Sequence, residues 1–157
     1  MKHLYIILFV LPLIGLGQGW EQTYNCCNGL NMEIIQTNDG GYIFVTESYL
    51  IKTDENGIQE WFQIPFDDEL YYGNWSEIIQ TSDGGYVIGG LFYDIDYSYS
   101  YRFIKKLDEN GVEIWTNESI GFIGLGMYSD IKEIQETTNG GYIYSGNSYV
   151  ELGFTSI

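Results

Sequence analysis

Short apolar strands and glycine turns return along this chain in a fixed order. EIIQT begins at Glu33 and again at Glu77, and EIQET begins at Glu133. A glycine turn follows each time: NDGGY from Asn38, SDGGY from Ser82 and TNGGY from Thr138. Apolar runs come next, Tyr42 to Val45 and Tyr86 to Ile88. The first two units then carry an FIKK-type strand, a DENG turn and a strand holding Trp61 or Trp115. Blocks of this length, bounded by glycine turns and rich in β-branched and aromatic residues, predict strands. GWEQTY from Gly19 resembles EWFQIP from Glu60 and IWTNES from Ile114, so Trp20, Trp61 and Trp115 mark three starts.

The spacing of the repeat places its insertions. Glu33 and Glu77 are 44 residues apart, whereas Glu77 and Glu133 are 56 apart. Ten of the extra residues fall between the second and third strands of the second unit, and the other two follow its Trp strand. Lengthening confined to connections, with the strands keeping their pattern, is what repeat folds tolerate. The runs Tyr42-Ile43-Phe44-Val45 and Tyr86-Val87-Ile88 are apolar on both faces, so they must be covered on both faces. Four strands per unit, each sheet covering the next, predict an all-β fold of antiparallel four-stranded blade repeats. The whole is a partial β-propeller of about two and a half blades. Residues 18–157 form the repeat region, with units starting near residues 20, 61 and 115 and the last one incomplete.

Each turn has a physical reason. In TDENG (Thr53 to Gly57) and LDENG (Leu107 to Gly111) the Asp can cap backbone amides and the final Gly can take a positive φ. In the DGG turns one Gly supplies positive φ and the second lets a neighbouring strand approach closely. Aspartates beside glycine also raise a calcium-loop reading, but the D-x-[DN]-x-[DN]-G spacing with a distal Glu is absent. Turn chemistry is the simpler expectation, with no metal and no cofactor.

The N-terminal segment changes the chemistry available. Lys2 and His3 precede an apolar run from Leu4 to Leu16, and Gly15 and Gly17 supply the small residues of a cleavage site before Gln18. Residues 1–17 therefore read as a signal peptide, too short to span a bilayer, which needs about 20 apolar residues. The protein is expected to be secreted or held at the cell surface. His3 is the only histidine, so the processed chain has no Ser-His-Asp or Cys-His nucleophile system and no histidine metal site. Cys26 and Cys27 are adjacent, which leaves a strained vicinal bridge, pairing with another chain, or two small loop residues.

Composition narrows the partners. The 22 acidic residues against 6 Lys and Arg give a formal charge of −16, which repels phosphate backbones and anionic membranes. No nucleic-acid partner and no membrane span are expected. Aromatics at 17% suit twisted β-structure and offer contact surface.

The pattern T-x-D-G-G-Y followed by K-x-D-E-N-G-x-x-x-W resembles the repeat of secreted β-propeller-like proteins common in Bacteroidetes. Those usually carry many copies and often a C-terminal sorting domain for type IX secretion. The resemblance runs from Trp20 to about Val150 and implies a fold and a route of export, with no catalytic residues to carry over. The third unit keeps NGGYIYSGNSY and then turns into VELGFTSI, so a truncated member of a larger exported propeller is one expectation. Self-association through uncovered blade faces is another.

The inserted stretch YDIDYSYSYR, Tyr93 to Arg102, is absent from the other units. Tyr93, Tyr97, Tyr99 and Tyr101 share parity and in extended form would project from one face. With Asp94 and Asp96 they could stack on sugar rings and bond hydroxyls. An elongated hairpin whose tyrosines cover the sheet is the plainer alternative. Asp67-Asp68-Glu69 is the other dense acidic cluster, and no spacing marks a glycosidase pair. The expected function is thus non-enzymatic binding or adhesion, with polysaccharide or another protein as partner. A carbohydrate-binding protein or a carbohydrate-active enzyme fragment is the alternative.

Overall fold

The computed structural model describes residues 19, 21–24, 33–46, 49–64, 71–94, 99–122 and 128–149. Residues 1–17, which the sequence reading assigns to a signal peptide, Cys26 and Cys27, the Asp67 to Glu69 cluster, Asp96, Tyr97 and the segment after Tyr149 lie outside them. Ten strands run in order: β1 (Glu33–Gln36), β2 (Tyr42–Val45), β3 (Leu50–Thr53), β4 (Gln59–Gln63), β5 (Tyr71–Gln80), β6 (Tyr86–Asp94), β7 (Tyr99–Leu107), β8 (Glu113–Phe122), β9 (Tyr128–Glu136) and β10 (Tyr142–Tyr149). They form a first sheet β1-β2-β3-β4, a second sheet β5-β6-β7-β8 and a third sheet β9-β10, each antiparallel with neighbours in chain order. The all-β antiparallel expectation therefore holds, and the Trp strand closes the sheet that the Glu-Ile strand opens. Among the described residues the sheets close no ring, and no helix is long and apolar enough to cross a membrane.

The turns form as their chemistry dictates. Asp54 Oδ1 accepts the amides of Asn56 and Ile58 at 2.9 and 2.8 Å, and Asp108 Oδ1 does the same for Asn110 and Val112. Gly57 and Gly111 close these turns at φ of +78° and +81°, a left-handed geometry that favours glycine. The second glycine of each DGG turn serves closeness instead. A Cβ on Gly85 would lie 2.4 Å from the Leu107 carbonyl oxygen and 2.7 Å from Lys106 Nζ.

Alternation along each strand then sorts side chains into two cores. Ile43, Val45 and Leu50 of the first sheet meet Trp75, Ile78, Tyr86, Ile88 and Phe103 of the second. On the opposite face of the second sheet, Val87 and Ile104 meet Ile131 and Ile134 of the third. Val87 and Ile88 are successive residues that point to opposite faces, and both are fully buried. Each contributes about 1.5–3 kcal/mol by leaving water. The middle sheet is thus covered on both sides, as its two-faced apolar runs require. The inserted residues lengthen β6 and β7 to nine residues each, against four in β2 and β3.

Replacing Gly85 by Ala should destabilise the chain by about 3 kcal/mol or more, because the obstruction is backbone rather than a yielding side chain. At Gly141 the nearest atom to an added Cβ is Thr137 Oγ1 at 3.1 Å, so Gly141→Ala should cost about 1 kcal/mol or less. Urea unfolding of both variants measures the contrast, and equal losses would refute it.

Candidate functional site

Reactive groups come first, because the roles they already hold limit what they can do elsewhere. Lys52 and Lys106, each two residues before the Asp of a DENG turn, are 2% and 4% exposed. Lys52 Nζ donates to Asp39 Oδ2 at 2.8 Å, Glu60 Oε2 at 2.8 Å and the Thr53 carbonyl at 2.9 Å. Lys106 Nζ donates to Asp83 Oδ1 at 2.7 Å and to Thr81 Oγ1. Asp39 and Asp83 also accept the amides of Gly41 and Gly85 at 3.0 Å and the hydroxyls of Thr37 and Thr81. The lysine ahead of all, then the threonine hydroxyl, holds each aspartate down at about 2. Burial pushes the Lys52 ammonium down, and its two carboxylate partners outweigh that and leave it raised.

A second set of polar groups joins one sheet to the next. Glu33 Oε2 accepts the Ile78 amide at 3.0 Å, and the Glu77 carboxylate accepts the Ile134 amide. Gln80 Oε1 accepts the Asn38 amide at 2.8 Å while its Nε2 donates to the Gly84 carbonyl of its own turn. Glu136 takes the Ser82 amide and hydroxyl, both at 2.7 Å. Burial first, then the charges of Glu33 and Glu133, push the Glu77 carboxyl up to about 7. A carboxyl poised there is chemically notable, yet it lies between sheets and engages a backbone amide. Among the described residues no group of three or more His, Cys, Asp or Glu is placed to hold a metal ion.

The concave surface lies elsewhere. A cleft of about 220 Å³ opens between the second and third sheets, lined by Arg102, Trp115, Asn117, Glu118, Tyr142 and Tyr144 over a floor that includes Ile104 and Ile131. The Trp115 and Tyr142 ring centroids are 5.8 Å apart, and Trp115 and Tyr144 are 37% and 46% exposed. Aromatic walls with a few polar groups are the usual make-up of a binding cleft.

The sequence-derived tyrosine platform is divided by this geometry. In the β6–β7 hairpin Phe92 pairs with Tyr101 and Tyr93 with Ser100, so Tyr93 and Tyr101 lie on opposite faces of the second sheet. Tyr101 stacks on Phe92 at 4.7 Å and packs against the first core, which corrects the expectation of one shared face. Asp94 ends β6 and Tyr99 begins β7, while Asp96 and Tyr97 fall outside the described residues. Sequence reasoning missed the buried lysines and the cleft. The lysines carried a signal, a fixed offset of two from each DENG Asp; the cleft carried none beyond the recurrence of Trp115 and Tyr142. Comparison with protein-family models, curated proteins and solved structures found no match to this chain.

Two limbs of pH dependence follow. Asp39 and Asp83 have lowered pKa values, so their contribution is present above the unfolded value of 3.8 and is lost as pH falls through about 2. Glu77 is raised, so its contribution is present below the unfolded value of 4.5 and is lost as pH rises through about 7. Stability should therefore peak between these limbs. Glu77→Gln, which keeps an acceptor for the Ile134 amide, should raise stability at pH 8 by about 1–2 kcal/mol, less than the full shift would give because solvent screens this partly buried carboxyl, and change little at pH 4. Thermal melts across pH decide the matter; a Glu77→Gln chain with the parent's alkaline loss would refute it.

Proposed function

We propose that this chain is an exported β-propeller-type repeat module that binds a partner and performs no catalysis. Two four-stranded meanders of identical order, stacked face to face by recurring contacts, support the blade reading, because blades in a propeller cover one another in this way. The observation that carries the binding half is the aromatic cleft of Trp115, Tyr142 and Tyr144. The most strongly shifted carboxyl groups are held in turns and between sheets, and none of Glu77, Asp39 and Asp83 lines this cleft.

Export and surface location rest on the leader sequence, and the blade arrangement fits a segment of a larger exported propeller. Among partners, stacking of copies through the outer face of the third sheet is disfavoured. Ile143 is exposed there, but Gln135 stands where the first two units have Ile35 and Ile79, and Ser145 where they have Val45 and Gly89. Polysaccharide stays in play as a second reading, since Arg102, Asn117 and Glu118 beside exposed aromatic rings could bond the hydroxyls of a stacked sugar.

The test is retention of the purified protein on immobilised polysaccharides and immobilised extracellular proteins, compared with a Trp115→Ala/Tyr144→Ala double variant. At least one ligand should be retained, and the double variant should lose about tenfold in affinity. Retention that ignores both substitutions would overturn the site. Release of reducing sugar from a polysaccharide would overturn the non-enzymatic reading.

A further inference from the structure

Glu33, Glu77 and Glu133 hold the same place in the opening strand of each sheet, and stacking lines them up across the two joints, the first between the first and second sheets and the second between the second and third. β5, which carries Glu77, packs against β1, β2, β6 and β9. From β1 comes Glu33, half-buried, whose Oε2 accepts the Ile78 amide at 3.0 Å. From β9 comes Glu133, which is exposed, accepts from Gln135 Nε2 at 2.7 Å and acts on Glu77 through its charge. Lys132 beside it is exposed as well. β6 sets Gly89 opposite Glu77 and ends at Asp94, while β2 has no charged residue.

The contacts of Glu77 across the two joints differ in kind. Its carboxyl accepts the Ile134 amide across the second joint and is hydrogen-bonded to the Glu33 carboxyl across the first. An ionised carboxylate only accepts, so the bond between the two acids needs a proton. Two carboxylates that share a site resist ionising together and titrate as a pair. Burial first, then the Glu33 charge, push the Glu77 carboxyl up to about 7, in keeping with a proton held at this point.

We propose that Glu77 and Glu33 share one proton across the first joint, and that this proton is a pH-operated clasp between the first and second sheets. With the proton in place, the Glu77 carboxyl donates to Glu33, and Glu33 keeps its hold on the Ile78 amide. When hydroxide takes the proton, water forms and two carboxylates face one another. Glu33 lies on β1, an edge strand, so it turns toward solvent and releases Ile78. The Ile134 amide stays with Glu77, because an anion accepts a hydrogen bond more strongly than a neutral acid. The contacts of Ile43, Val45 and Leu50 with the second sheet keep the stack together, so the loosening is local. The switch is one-sided: alkaline solution slackens the first joint and leaves the second closed.

Amide hydrogen exchange of the whole protein, followed by NMR at pH 5 and pH 9 and corrected for the intrinsic rise with hydroxide, reads the two joints separately. Protection of the Ile78 amide should fall about tenfold between these pH values, while that of Ile134 changes by less than about twofold. In Glu77→Gln, whose Nε2 donates to Glu33 at every pH, the fall at Ile78 should vanish. Equal losses at both amides, Ile78 protection that ignores pH, or a fall that persists in Glu77→Gln overturns the clasp. Glu33→Gln removes one charge and keeps an acceptor for Ile78. In that variant the Glu77 titration midpoint, read from the ¹³C shift of its carboxyl carbon, should drop by about one pH unit. An unmoved midpoint would mean that burial alone holds the proton, and it overturns the sharing.

Discussion

A buried ammonium organises this repeat. Lys52 and Lys106 are almost wholly withdrawn from water, and an unpaired charge in such a place costs several kcal/mol. The aspartate of the DGG turn neutralises it, and the second glycine of that turn leaves the room: Lys52 Nζ would stand 2.8 Å from a Cβ on Gly41. T-x-D-G-G and K-x-D-E-N-G are therefore two halves of one device. It ties the turn between the first and second strands to the third strand and so fixes the sheet's middle register. The third unit changes both halves. Asn139 stands in place of the aspartate, and in sequence Leu152 aligns with Lys52, since Tyr142 aligns with Tyr42. An aspartate without its lysine would be a surplus charge; an asparagine still accepts from Thr137 Oγ1.

The joints between sheets follow from the same economy of polar groups. Backbone amides at the edge of a buried layer need acceptors, and each sheet supplies them to its neighbour from the Glu and the Gln or Glu of its first strand. Part of the acidic excess is consumed this way. Glu77 belongs to the middle sheet, so it alone of the three equivalent glutamates feels a carboxylate from both sides. Its raised pKa is a consequence of stacking order.

Legibility in sequence tracked distance along the chain. Turn chemistry and the four-strand count were readable because each rests on a few contiguous residues, and Asp54, Gly57, Asp108 and Gly111 behave as their local pattern required. The parity argument for Tyr93 to Tyr101 failed because a hairpin connection resets which face a residue takes. The pairing of Phe92 with Tyr101 decided it instead. The lysines were overlooked for a different reason: a strand lysine reads as a solvent-facing charge until the partner that neutralises it, 13 residues away in the first unit and 23 in the second, is brought beside it. The cleft draws on β7, β8, β9 and β10, and such an assembly of distant strands has no sequence signature.

The outer surface of the third sheet bears on how the chain meets other molecules. Ile43 and Val87 are fully buried under the next sheet, whereas the equivalent Ile143 is 60% exposed. Its neighbours there are Gln135, Ser145 and Glu133, whose polar atoms would have to be desolvated by any sheet laid over them. That face is more polar than the equivalent faces of the first two sheets. The flat face is therefore the less adhesive surface and the seam beside Trp115 the more adhesive one, because among the described residues the seam exposes the Trp115 indole and the Tyr144 ring together. On the proposed binding reading, a partner therefore meets the seam beside Trp115 rather than the flat outer face of the third sheet.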